Sequence, residues 1–116
     1  MIAKLTFPWP PKALSPNARV HWSKKRGASG AGTKYKSDLL WLAKSEKWEI
    51  VGCDTFRLVF CPPDNRRRDT DNMLASFKAG FDALSFLTGV DDSKFQWSFA
   101  RGEVVKGGAV IVEVIE

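Results

Sequence analysis

Between residues 65 and 72 the chain reads Asn-Arg-Arg-Arg-Asp-Thr-Asp-Asn, and an acidic pair, Asp91-Asp92, follows twenty residues after Asp71. Closely placed carboxylates supply oxygen ligands that suit Mg²⁺, which keeps several waters and takes one or two carboxylates together with substrate phosphate. Arginines beside them hold a polyanion that such a metal can cut. The same residue types have a plainer use. Asp and Asn start helices, where negative charge is stabilised by about 0.3–1 kcal/mol, and arginines pair with them in structural salt bridges. Lys78 follows Asp71 by seven positions. On a continuous helix it returns to within about 20° of the same face, with its side chain leaning back toward the Asp71 end. There it can stabilise charge developing on a phosphate. Its plainer alternative is an i,i+4 pair with Asp82.

The charge distribution points the same way. Net charge is +5, but residues 1–37 hold eight Lys/Arg and no acid, whereas residues 51–116 hold eight basic and ten acidic residues. Segregation of this kind makes one field of positive potential, for which a phosphate backbone is the usual partner. The candidate DNA-binding residues are Lys24, Lys25, Arg26, Lys34 and Lys36, joined by Arg66, Arg67 and Arg68. Trp22 and Trp97 are able to stack on bases, although packing in a core or interface is the commoner use of tryptophan. One histidine, His21, and two cysteines outside any CxxC pair, Cys53 and Cys61, argue against zinc and against a disulfide framework. No apolar run approaches the ~18 residues of a membrane span. Lys4 and Pro8 interrupt any secretory core. These features together predict a single soluble domain in the cytoplasm.

The elements that must position these residues are legible in outline. Residues 2–7 read as a strand stopped by Pro8, Pro10 and Pro11. Residues 12–33, with Ser15-Pro16-Asn17 and three glycines, read as a basic flexible loop. Tyr35, Leu39, Leu40 and Ala43 predict a helix over 33–47. Alternation predicts strands over 55–61, 95–105 and 109–115, the last two joined as a hairpin by Lys106-Gly107-Gly108. The last strand is apolar on both faces, which predicts a central place. Between the second and third strands, Asp69–Asn72 offers N-cap chemistry, Leu74, Phe77, Phe81, Leu84 and Thr88 form a stripe, and Gly89 stops the helix. The expected fold is α+β, a single domain with a small mixed β-sheet of about four strands packed against two α-helices. An unbroken helix over 71–87 would be about 24 Å long, which leaves Asp92 near the wrong end for Asp71. Either that helix breaks near Gly80, or Asp92 completes a site in a two-fold partner.

The blocks Pro8-Trp9-Pro10-Pro11, Arg66–Asn72 (RRRDTDN), Lys78–Leu84 (KAGFDAL), Asp91-Asp92 and Lys106-Gly107-Gly108 resemble the RusA family of Holliday-junction resolvases, in the family's order and over nearly the whole chain. The resemblance implies a homodimeric, Mg²⁺-dependent endodeoxyribonuclease of DNA recombination and repair, with Mn²⁺ as a substitute metal. Such an enzyme nicks two opposing strands of a four-way DNA junction and leaves 5′-phosphate ends. Carried over by position, Asp69, Asp71 and Asp92 match the metal-binding carboxylates and Lys78 matches the essential lysine. In the shorter form of the family that lysine follows the second aspartate by four residues, where here it follows by seven. Both spacings return to one helical face, with the lysine about 4–5 Å farther along the axis. The residues alone leave open whether Asp91 or Asp92 is the ligand. A different class also fits them: a non-catalytic basic DNA-binding protein whose aspartates are helix caps and salt-bridge partners.

Overall fold

The computed structural model describes residues 3–11, 14 and 22–115, and the side chains of these except 22–29 and 31. Strands β1 (Ala3–Pro8), β2 (Thr55–Cys61), β3 (Gln96–Arg101) and β4 (Ala109–Ile115) form a mixed sheet in the order β1-β4-β2-β3. β4 runs antiparallel to both its neighbours, and β2 and β3 are parallel. Pairing registers align the inward side chains into rows across the sheet: Leu5, Val112, Leu58 and Phe99 in one, Phe7, Val110, Phe60 and Arg101 in the next. Period-two alternation puts every member of a row on the same face. That face is sealed at Leu5, Phe7, Phe56, Leu58, Phe60 and the three valines of β4. The central place expected for β4 is therefore observed.

Three helices cover this face: α1 (Trp22–Glu46), α2 (Thr70–Ser76) and α3 (Lys78–Thr88). α1 buries Tyr35, Leu39 and Ala43 at four-residue spacing, the stripe expected for it. The Tyr35 hydroxyl donates to the Pro8 carbonyl and ties the helix to the end of β1. α3 buries Gly80, Ala83, Leu84 and Thr88, and ends at Gly89, whose φ of 74° is the left-handed stop. With the mixed sheet on one side and helices on the other, the expected α+β architecture holds. Both thiols are free, Cys61 buried and Cys53 half-buried. No helix among the described residues is long and apolar enough to cross a membrane.

Three expectations need correction. The first is the loop over 12–33: the chain is already helical from Trp22, so only its first part can be a loop. Gly27, Gly30 and Gly32 suggested irregular backbone, but each glycine costs a helix only about 1 kcal/mol against alanine, and extending an existing helix is cheap once nucleation is met. Residues 12, 13 and 15–21 lie outside the described residues.

The second is the single long helix, which breaks at Phe77 (φ −90°, ψ 4°) into α2 and α3. Phe77 turns its ring into the core, fully buried, where it meets Phe7, Phe60 and Phe81. Gly80 makes this possible, because a Cβ there would come within 2.4 Å of that ring. Among the described residues this break gives three α-helices where two were expected.

The third is the hairpin. Gly107 and Gly108 do turn the chain, with φ of 81° and 74°. However, Gly102 and Val105 donate to the carbonyls of Phe60 and Pro62, so the chain follows the end of β2 before turning. β4 then enters on the far side of β2, and β3 is left at the edge. A strand apolar on both faces gains more from the central slot than from pairing with its sequence neighbour. β3 itself spans Gln96–Arg101, shorter than the 95–105 expected.

Candidate functional site

The segment from Pro62 to Asp71 leaves the end of β2 and is organised around Asp64. Its carboxylate accepts from the Arg66 backbone N–H at 3.0 Å, an Asx turn, and pairs with Arg68 at 2.9 Å. The Arg68 guanidinium also donates to the carbonyls of Asp64 and Arg66, at 3.1 and 3.2 Å. Hydrogen bonding from Arg68, followed by that from the Arg66 N–H, holds the Asp64 carboxyl below the usual carboxylate range. Arg66 lies 3.8 Å from the same carboxylate and is mostly exposed. Arg67 is exposed.

Blocks far apart in the sequence meet at this segment. Trp9 has the Arg68 guanidinium 5.7 Å from its ring centroid. Against Trp9 also lies Gly108, where an added Cβ would fall 2.8 Å from the indole. Arg101, at the end of β3, donates to the Arg68 carbonyl and to the Thr70 hydroxyl, the latter at 3.2 Å. The Arg68 backbone and the Thr70 side chain, on either side of Asp69, are thus tied to the sheet. A cleft of about 780 Å³ is lined by Trp9, Pro10 and Pro11 together with Arg66, Arg67, Arg68 and Asp69.

The aspartates are not consumed by the structure in the way the plainer reading expects. Asp69 occupies the N-cap position of α2 with extended backbone, yet its side chain makes no capping hydrogen bond. Among the described residues its side chain meets the Asn72 amide at 3.5 Å, too long to hold it firmly. Arg66 and Arg68 pair with Asp64, and neither Asp69 nor Asp71 forms an ion pair with any described residue. At the other acidic pair the roles divide. Asp91 caps the 3-10 turn Asp92–Lys94 by accepting from the Ser93 N–H at 2.9 Å, which holds its carboxyl below the usual range. Asp92 is exposed beside it.

Asp69, Asp71 and Asp92 do not meet within one chain. Asp69 and Thr70 sit by Arg101 at the C-terminal end of β3, whereas Asp92 precedes Gln96 at its N-terminal end. The six residues of β3 separate them by about 20 Å. No three His, Cys, Asp or Glu side chains gather to hold a metal among the described residues. Lys78 is exposed at the start of α3, on the far side of the break at Phe77, so the count of 100° per residue from Asp71 does not carry across. It forms no ion pair with Asp82 or any other described residue.

The basic residues of α1 are on a helix, not on a flexible arm. Lys34 pairs with Asp38 at 2.8 Å, and Lys36 lies over the Phe86 ring at 5.8 Å. The side chains of Lys24, Lys25 and Arg26 lie outside the described residues. Two residues that shape the site went unremarked in the sequence, Asp64 and Arg101. Arg101 carried a signal: it is the one charge in the inward row Phe95, Trp97, Phe99, Arg101. Asp64 carried a weaker one, a turn acid two residues before an arginine.

No family model matches the chain. An uncharacterized protein from Xylella fastidiosa (strain Temecula1 / ATCC 700964) is 34% identical over an aligned stretch of 116 positions that covers 95% of this chain and 74% of that protein. The chain belongs to the same family as this Xylella fastidiosa protein.

Proposed function

We propose that the protein is a Mg²⁺-dependent, structure-selective endodeoxyribonuclease that resolves four-way DNA junctions by paired nicks, acting as a homodimer in the cytoplasm. The observation that carries this reading is the division of labour in the arginine–aspartate segment. Arg68 and Asp64 build the loop, while Arg66 and Arg67 remain exposed and Asp69 and Asp71 remain without an ion pair among the described residues. Carboxylates that serve neither as caps nor as salt-bridge partners are available as ligands. Their oxygen-only chemistry suits Mg²⁺, or Mn²⁺ in its place. Asp69 and Asp71 would hold the metal from one side and Asp92 of the partner subunit from the other. A bound Mg²⁺ would supply Lewis acidity toward a phosphate and lower the pKa of a water.

The chain's own residues do the rest. Arg66, Arg67 and the basic residues of α1 would engage backbone phosphates, and Arg101 would help position Asp69 through its bonds to the Arg68 carbonyl and the Thr70 hydroxyl. Lys78 would contribute an exposed positive charge from the start of α3. Contacts of this kind read shape and phosphate placement in preference to base identity, which suits a branched substrate.

The test is cleavage of a labelled four-way junction beside a linear duplex of equal length, with wild type and Asp71→Asn, in Mg²⁺ or EDTA. The expected result is paired nicks in the junction alone, lost in EDTA and lost in Asp71→Asn with binding retained. Tight binding without cutting under any divalent metal would replace the nuclease with a DNA-binding module. Equal cutting of both substrates would remove the junction selectivity.

A further inference from the structure

The cleft beside the arginine–aspartate segment is larger than a phosphate contact needs. Its volume of about 780 Å³ falls in the range of pockets that enclose a small organic ligand. Trp9, Pro10, Pro11 and Met73 give it apolar walls, and Asn72 and Ser76 place polar groups among them. The wall at Trp9 is fixed before any ligand arrives. The Arg68 guanidinium lies 5.7 Å from the ring centroid, the Phe60 ring meets it edge-on at 6.3 Å, and a Cβ on Gly108 would fall 2.8 Å from the indole. Arg68 is itself held by Asp64 at 2.9 Å. Indole rings and guanidinium planes are the surfaces on which proteins receive unstacked bases.

The polar groups of the cleft keep capacity to spare. Among the described residues the Asn72 amide has only its 3.5 Å contact with Asp69. A side-chain amide carries two donors and an acceptor, so it can meet the edge of any of the four bases. Ser76 donates to the Met73 carbonyl at 2.8 Å, which leaves its oxygen free to accept. Arg66 and Arg67, exposed and in the same lining, bring charge for neighbouring phosphates.

We propose that the cleft receives one unpaired nucleobase, which lies against Trp9 and Arg68 with an edge toward Asn72, while Arg66 and Arg67 hold the phosphates beside it. In a continuous duplex every base is paired and stacked, and taking one out is costly. The cost is least where the base is already unpaired. Branch points and bulges offer such bases, so the cleft favours them over a continuous duplex without reading base identity. Asp69 belongs to the same lining, so a base seated there leaves its own backbone beside the acids. The choice of DNA as the ligand rests on the nuclease reading, whereas base capture itself is measured without cleavage.

The test titrates the full chain, in EDTA, onto three labelled DNAs: a linear duplex, the same duplex with one extra unpaired nucleotide, and that bulged duplex with the extra nucleotide abasic. The bulged duplex is expected to bind about tenfold tighter than the plain one, in keeping with a single base–aromatic stack. The abasic bulge is expected to lose that gain. Trp9→Leu, checked for folding by circular dichroism, is expected to lose it too. Equal binding of the bulge with and without its base would overturn the proposal, because the bend of the bulge would then account for any preference. Equal binding of bulged and plain duplex, or a folded Trp9→Leu that keeps the full gain, would overturn it as well. Cleavage of a four-way junction in Mg²⁺ scores the nuclease reading separately. Paired nicks by a protein indifferent to the base would remove base capture and leave the nuclease, and base-dependent binding without nicks would do the reverse.

Discussion

Asp64 and Asp69 are five residues apart and chemically identical, yet their surroundings assign them different work. Asp64 accepts from Arg68 and from a backbone N–H, and its carboxyl is held low by those bonds, with Arg68 the larger cause. A carboxyl whose folded pKa is depressed stabilises the fold above its unfolded pKa, and that contribution disappears as pH falls through the folded value. The loop should therefore be firm at neutral pH and loosen only in acid stronger than the ordinary carboxylate range. In Arg68→Ala the titration midpoint of Asp64, followed by NMR, is expected to rise toward the ordinary aspartate range. A midpoint that does not move would mean that Arg68 is not what holds it. The aspartate doublet was visible in the sequence at once. Which arginine serves structure and which faces solvent was not, because that depends on a turn geometry set by Asp64.

The decisive element is the pair α2–α3 and the break between them. Seven-residue spacing from Asp71 to Lys78 implied a shared face only for as long as the helix was continuous. Phe77 ends that continuity because a fully buried ring in an aromatic cluster outweighs one turn of regular hydrogen bonding. Gly80 is required for close approach and not for backbone freedom. Gly80→Ala should accordingly destabilise the protein by about 1–3 kcal/mol through overpacking, despite alanine's better helix propensity. Urea denaturation would reveal it as a lower midpoint, and a raised midpoint would show that the ring can yield. The same logic governs the two glycines before β4. They supply the turn that the sequence suggests, but the partner of the returning strand is chosen by burial.

At the scale of the molecule, the acids are at opposite ends of β3 and the basic helix α1 belongs to the same layer as α3. A site that needs Asp69, Asp71 and Asp92 together must then be shared between two chains. Mixing inactive Asp71→Asn subunits with inactive Asp92→Asn subunits is expected to restore nicking, because each mixed dimer carries one intact site. If the site were built within one chain, every mixed dimer would be dead, and no recovery would be seen. Each mixed dimer should show about half the activity of a wild-type dimer, confined to one strand per binding event.

Much of this protein follows from sequence alone for a simple reason: its signals are local or periodic. The four strands, the amphipathic stripe of α1, the Gly89 stop and the α+β class follow from alternation, 3.6-residue spacing and turn chemistry. The arginine–aspartate block is contiguous, so its chemistry is readable without a fold. Strand order, the break at Phe77, the parallel pairing of β2 with β3 and the exposed row of Trp97 and Phe99 are different in kind. Each is settled by competition among distant groups for the same buried space, and no local pattern records who wins. The tertiary structure decided, for that reason, that Trp9, Arg68 and Gly108 share one place, and that Asp92 does not share it with them.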